Sequence, residues 1–170
     1  MKTIAIVNQK GGVGNNTISA ILLPFLPKKN LRVLVIDIDA QANLSIIFLK
    51  NLPDNPTSYD LLLGRDVQPL KLKDFDLVPS NLKLVRIEQE LSGVVVREYR
   101  LLKGLSKIKE LYNVIIVNTP PSLSLLTLNA LFAYDGIIVP TEAKFLGKVG
   151  LSKLWNILRE IKNIQIKKLT

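Results

Sequence analysis

Gly11, Gly12 and Gly14 fall within four positions, between the apolar run Ile4-Ala5-Ile6-Val7 and a second run that begins at Ile18. The order reads as strand, glycine-rich turn and helix. A buried parallel strand is a short unbroken apolar run, and glycines let the backbone turn tightly while its N–H groups converge at the positive end of the next helix. That is an anion site. In the phosphate loop G-x-x-x-x-G-K-[ST], the lysine reaches the β- and γ-phosphates and the hydroxyl binds magnesium. Here Asn15 and Asn16 follow Gly14, so neutral amides stand at the lysine and hydroxyl positions, and Lys10 is the loop's remaining cation.

Two further stretches end in groups able to meet a ligand. Val33-Leu34-Val35-Ile36 runs into Asp37-Ile38-Asp39, and Val114-Ile115-Ile116-Val117 runs into Asn118-Thr119-Pro120-Pro121. Carboxylates at the carboxyl end of a parallel strand stand where open α/β sheets bind ligands. A strand-end Asp also caps the helix that follows, so both roles are open to Asp37 and Asp39. With no cysteine and no histidine, disulfides, thiolate zinc sites, a cysteine nucleophile and a histidine base are excluded.

Asn8-Gln9-Lys10-Gly11-Gly12-Val13-Gly14 resembles the deviant Walker A loop, KGGVGK[ST]T, of the ParA family of partition ATPases. The likeness continues through Asp37-Ile38-Asp39-Ala40-Gln41-Ala42-Asn43 (family D-x-D-P-Q-x-N), Phe75 to Asn81 (L-x-x-I-P-S-N) and Asn118-Thr119-Pro120-Pro121 (D-[TC]-P-P), so that it covers nearly the whole chain. The resemblance implies a doubly wound, mostly parallel α/β sheet with helices on both faces, like a P-loop NTPase. It implies that Gly11, Gly12, Val13, Gly14, Asn15, Asn16 and Thr17 cradle ATP or ADP. Lys10 would cross to the phosphates of a partner subunit in a nucleotide-sandwich homodimer, and Asp39 would orient the attacking water. Magnesium would belong to Asn16, Asp37 and Asn118, with Asp37 in its outer shell. Asn118 stands where the family has the Walker B acid, and an amide without charge holds a cation more weakly. Further implied are nonspecific DNA, a ParB-type centromere-binding partner and a cytoplasmic, nucleoid- or plasmid-associated location. Phosphoryl transfer is mainly positioning and charge neutralisation, so the three asparagines point to impaired hydrolysis.

These groups need a scaffold. Helical spacing of Ile18, Ile21, Leu22, Phe25 and Leu26 predicts a helix from Asn16 to about Lys29; Pro24 and Pro27 should end or kink it near Leu23. Strands are expected at Arg32–Asp37, Phe75–Val78, Val114–Asn118 and Gly136–Pro140. Helices are expected at Ser58–Leu63, stopped by Gly64, then at Leu82–Leu91, Glu98–Tyr112, Ser122–Ala133 and from Gly150 to about Ile161. Within them, Tyr99, Leu102, Leu105, Ile108 and Leu111 should face inward, and Trp155 should be core. Arg97, Arg100, Lys103, Lys107 and Lys109 would form a basic face, either tracking phosphates or simply wet.

A chain of 170 residues, 48% hydrophobic, suits one domain over 1–170 that buries roughly 70% of its unfolded surface. The net charge of +9 favours nucleic acid or an anionic surface. No apolar run spans a bilayer, the first strand leaves no room for a signal peptide, and the amphipathic C-terminal helix that MinD relatives use on membranes is missing. No membrane partner is expected. Relatives of this kind usually continue with further strands and helices beyond the length of this chain. A second reading therefore stands beside the partition ATPase: a nucleotide-independent pseudo-ATPase or fragment serving as a protein-interaction module. An iron–sulfur carrier of the same class is excluded by the lack of cysteine.

Overall fold

The structure, a computed structural model, describes residues 1–8, 12, 14–26, 30–141 and 145–167, the side chains of 145–149 and 164–167 apart. Lys10, Gly11, Val13 and Pro27 lie outside the described residues. Six strands form one sheet: β1 (Lys2–Ile6), β2 (Val33–Asp37), β3 (Leu70–Lys71), β4 (Asp76–Val78), β5 (Val114–Asn118) and β6 (Gly136–Ile138). Their order is β3-β4-β2-β5-β1-β6. Every pairing is parallel except that of the short edge strand β3 with β4. β3 has only two residues and no apolar run, which is why periodicity does not disclose it.

Both faces of the sheet are covered, because alternate residues of the apolar strands point to opposite sides. Ala5, Val7, Leu34, Ile36, Ile115 and Val117 pack with Leu61, Leu101, Leu131 and Leu154. These come from α3 (Ser58–Leu63), α5 (Arg100–Leu105), α6 (Leu125–Ala133) and α7 (Phe145–Lys167). On the other side Ile6, Val33, Val35 and Ile116 meet Leu23 and Leu44, which belong to the end of α1 (Asn15–Leu22) and to α2 (Asn43–Phe48). This is the doubly wound α/β arrangement expected. No helix among the described residues is long and apolar enough to cross a membrane.

α1 ends at Leu22 with Leu23 as its cap, as the prolines require. Its buried face is different from the apolar face anticipated: Ser19 and Leu23 are buried, while Ile21 and Phe25 are exposed. The segment Leu82–Leu91 splits into a 3₁₀ turn at Leu82–Arg86, capped by the Asn81 side chain, and a single α-turn, α4 (Ile87–Glu90). The long helix expected over Glu98–Tyr112 is likewise three pieces: a 3₁₀ turn at Arg97–Tyr99, α5, and a 3₁₀ turn at Lys109–Leu111. Leu101 and Leu105 face inward, whereas Leu102 and Leu111 are exposed. Gly104 decides that register. A Cβ there would stand 2.8 Å from Leu61 Cδ1 and 3.2 Å from the Leu61 carbonyl oxygen, so the glycine lets α5 lie directly on α3. The cations of the basic face are partly engaged, Arg100 Nε donating to Leu62 O and Lys107 Nζ to Asp66. Trp155 is 60% exposed rather than core; α7 turns Leu154 and Ile161 to the sheet instead.

α3 has a capping box: Thr57 N–H and hydroxyl meet Asp60 Oδ2, and Arg65 binds Asp60 Oδ1 at 2.7 Å. Burial opposes ionisation of Asp60, but the bonds from Arg65 and Thr57 outweigh it and hold its carboxyl below the ordinary value.

Two outcomes follow. Gly104→Val should lower unfolding free energy in urea by about 2–3 kcal/mol through overpacking against Leu61, while Gly93→Ala, where nothing lies within 4 Å, should be near neutral. Asp60→Asn should cost about 1 kcal/mol at neutral pH through the weakened cap. A depressed carboxyl stabilises above its unfolded pKa and loses that contribution as pH falls through its folded pKa, so the difference between Asp60→Asn and the parent chain should vanish on acidification.

Candidate functional site

Sheet register builds the site. Ile6 pairs with Asn118, and Asn118 pairs with Asp37, so the carboxyl ends of β1, β5 and β2 lie abreast. The chain leaves β1 and crosses above β5 to reach β2, which makes this the region where open α/β sheets accept ligands. Over these strand ends opens a cavity of about 270 Å³. Among its lining residues are Gly12, Gly14, Asn15, Asn16, Thr17, Asp39 and Thr119.

The roof is the start of α1. Gly12 has φ 80° and Gly14 φ 103°, a region that side chains with a Cβ rarely enter. A Cβ on Gly12 would meet nothing within 4 Å, so backbone conformation rather than space calls for glycine. Gly14 is the N-cap, and the first helical bond runs from Ile18 N–H to its carbonyl at 2.7 Å. The N–H groups of Asn15, Asn16 and Thr17 therefore have no partner within the helix, and they add the positive end of its dipole to the cavity.

The floor is a polar ladder under the cavity. Asp37 is fully buried. Its Oδ2 accepts from Ser45 N–H at 3.0 Å and the Ser45 hydroxyl at 2.7 Å. Its Oδ1 accepts from Asp39 N–H at 3.2 Å and from Asn118 Nδ2 at 3.0 Å. The other Asn118 amide hydrogen goes to Asn16 Oδ1 at 2.9 Å, while Asn118 Oδ1 lies 3.1 Å from the Ser19 hydroxyl. From Ser45 the ladder continues to Ser80, whose N–H donates to Ser45 Oγ and whose hydroxyl donates to the Asp39 carbonyl. Burial pushes the Asp37 carboxyl above its ordinary value, and the bonds from Asn118, Ser45 and Asp39 recover only part of that shift.

Asn16, Asp37, Asn118 and Asp39, separated by up to 102 positions, are thus brought together. They are not equivalent. Asp39 lines the cavity, with Oδ1 held by Gln41 N–H at 3.0 Å. Asp37 and Asn118 are fully buried below it, and Asp37 makes the capping contact to the first turn of α2 through Ser45. Asn15 Nδ2 donates to Thr119 O at 3.2 Å, and its Oδ1 is buried with no hydrogen-bond partner. Among the described residues no three acidic side chains converge in the manner of a metal site.

Ser19 and Ser45 escaped the sequence reading. Ser19 stands one helical turn after Asn15 among apolar neighbours, and that isolated hydroxyl facing a strand end was the available signal. Ser45 lies two residues past a stretch that already attracted attention for its acids.

A family model described as an AAA domain matches residues 1–170. The chain is 37% identical over 164 residues to the sporulation initiation inhibitor protein Soj of Bacillus subtilis, covering 93% of this chain and 65% of that protein. It is 36% identical over 167 residues to the chromosome partitioning protein ParA of Myxococcus xanthus, covering 95% and 59%. The chain thus spans less than two thirds of the length of these curated relatives. Its fold matches cobyrinic acid a,c-diamide synthase of Mycobacterium smegmatis, solved with an ATP analogue and magnesium, with TM-score 0.87 and 33% identity over 96% of this chain and 67% of that one.

Asp37→Ala should strand four donors in a buried setting and cost about 3–4 kcal/mol in urea unfolding. Asp39→Ala, whose side chain answers fewer donors, should cost about 1 kcal/mol.

Proposed function

Since the chain belongs to the ParA family of partition ATPases, we propose that it binds an adenine nucleotide in the cavity above Asp39 and hydrolyses it slowly or not at all. The observation that carries this reading is the roof: an uncapped helix start, entered through two left-handed glycines, opening at the carboxyl ends of parallel strands. Such a nest of N–H groups suits phosphate oxygens.

In this reading Gly11 to Thr17 wrap the phosphates, and Asp39 orients water from the opposite wall. Lys10 supplies positive charge, reaching the nucleotide of a second subunit in a nucleotide-sandwich homodimer. What is lacking is charge at the leaving and transferring groups. Where the family's lysine would reach the phosphates, Asn15 instead ties its amide to the Thr119 carbonyl. Asn16 and Asn118 put neutral amides where the family's magnesium-binding groups stand, so a cation that would neutralise phosphate charge is poorly held there. The net charge of +9 supports nonspecific contact with DNA. Partition would then follow the family pattern, with nucleoid association and a ParB-type partner.

Calorimetry with ATP tests the binding half, and absence of binding would favour an interaction module. For the catalytic half, phosphate release by the parent chain should sit near background. Asn15→Lys, Asn16→Thr and Asn118→Asp combined should raise it by about 10²-fold or more, the scale of restoring transition-state charge stabilisation. Unchanged release by a folded, ATP-binding triple variant would count against the impaired-ATPase account.

A further inference from the structure

Resting on the reading of this cavity as a phosphate cradle, we infer that its ligand is a metal-free nucleoside polyphosphate, because the Asn118 carboxamide takes the place of magnesium in the polar ladder. Magnesium needs an octahedron of oxygen ligands at about 2.0–2.1 Å, and it is usually held by one or two carboxylates together with water and phosphate oxygens. The donor set here does not fit that demand. Both hydrogens of Asn118 Nδ2 are directed at oxygens, one at Asn16 Oδ1 (2.9 Å) and one at Asp37 Oδ1 (3.0 Å). A cation would face the positive end of an amide dipole.

The amide cannot simply turn over. Exchanging its oxygen and nitrogen would set Asn118 Oδ1 against Asp37 Oδ1, acceptor on acceptor, and against Asn16 Oδ1 unless the Asn16 amide turned as well. Nor can Asp37 offer its other oxygen, since the Ser45 N–H and hydroxyl already bind Oδ2. Asp37 and Asn118 have no exposed surface, so no ion reaches them without breaking the ladder. Among the described residues, the carboxylate that does line the cavity is Asp39, and one of its oxygens is engaged by Gln41 N–H.

The Asn118 amide also does what a bound cation would otherwise do. It joins the start of α1 to β2 and β5 through Asn16 and Asp37, so these segments are tied together without an ion between them. A cradle so built grips phosphates through backbone N–H groups. Metal bridging of the β- and γ-phosphates is lacking and Asn15 stands at the position from which a lysine would reach them, so within one subunit a third phosphate adds little. ATP and ADP should therefore bind alike, with or without magnesium.

Three arms on the full chain test this. ATP and ADP are titrated by calorimetry in magnesium and in chelator; the four dissociation constants should agree within about threefold. Magnesium tightening ATP by about tenfold or more would overturn the inference. In the second arm, Mn²⁺ alone is titrated and free ion is read by its paramagnetic resonance, which needs no nucleotide. The parent chain should show no stoichiometric site; one saturable site, abolished by Asn16→Ala, would overturn the inference. In the third, Asn118→Asp should lower the melting temperature in chelator, with magnesium recovering it, while the parent chain ignores magnesium. A variant as stable as the parent and equally indifferent to magnesium would remove the claimed role of the amide. If neither nucleotide binds, the nucleotide reading fails, and the Mn²⁺ and melting arms still decide whether Asn118 has displaced the metal.

Discussion

The contact between the Asn118 amide and the Asp37 carboxylate is the constraint around which this molecule is arranged. Isolated carboxylates are costly to bury, and Asp37 has no exposed surface at all. It persists because four donors answer its two oxygens. Those donors come from β5, from the turn after β2 and from the start of α2, so satisfying one carboxylate fixes the relative positions of three segments. Asn118 then extends the same grip to Asn16 at the start of α1. The cavity above is shaped by the saturation of the ladder below it.

Strand register and polar chemistry explain why much of the architecture was legible. β5, Val114–Asn118, and α3, Ser58–Leu63, carry unambiguous signals: an unbroken apolar run in one, and in the other a capping Thr57 with Asp60 three residues on and a left-handed Gly64 at the end. Apolar spacing was a weaker guide where something other than greasy burial set the face. In α1 the inward residues are Leu23 and Ser19, whose hydroxyl bonds the Asn15 carbonyl and lies 3.1 Å from Asn118 Oδ1, and Ile21 is left outside. In α5 close approach to Leu61 selects Gly104, and the leucines on either side of it follow. Trp155 reads as core in a helical wheel, yet α7 presents Leu154 and Ile161 to the sheet. At the site, the strand-end positions were readable as a set. Their partners were not, because a hydrogen bond between residues 81 or 102 positions apart leaves no local periodicity.

The charge of the chain is distributed against the chemistry its family performs. Lysines and arginines outnumber acids by nine, but the described wall and floor of the cavity carry amides, hydroxyls and one lining carboxylate, Asp39. Phosphoryl transfer depends on positive charge at the phosphates themselves, and long-range attraction from a basic surface raises encounter without lowering the barrier of the step. Attraction for polyanions and weakness in hydrolysis are therefore compatible properties of one sequence.

The three asparagines also form a consistent set rather than three separate losses. An aspartate at 118 would stand about one hydrogen bond's length from Asp37, and two such carboxylates in a buried place need a cation or a shared proton between them. Asn118 removes that need by donating to Asp37. Its second hydrogen then requires an acceptor from α1, and Asn16 Oδ1 provides it. Asn15, next after Gly14, turns its amide to the Thr119 carbonyl and ties α1 to the exit of β5. Each amide makes the next one workable. The ladder holds the carboxyl ends of β2 and β5 and the start of α1 together with neutral amides at the three positions.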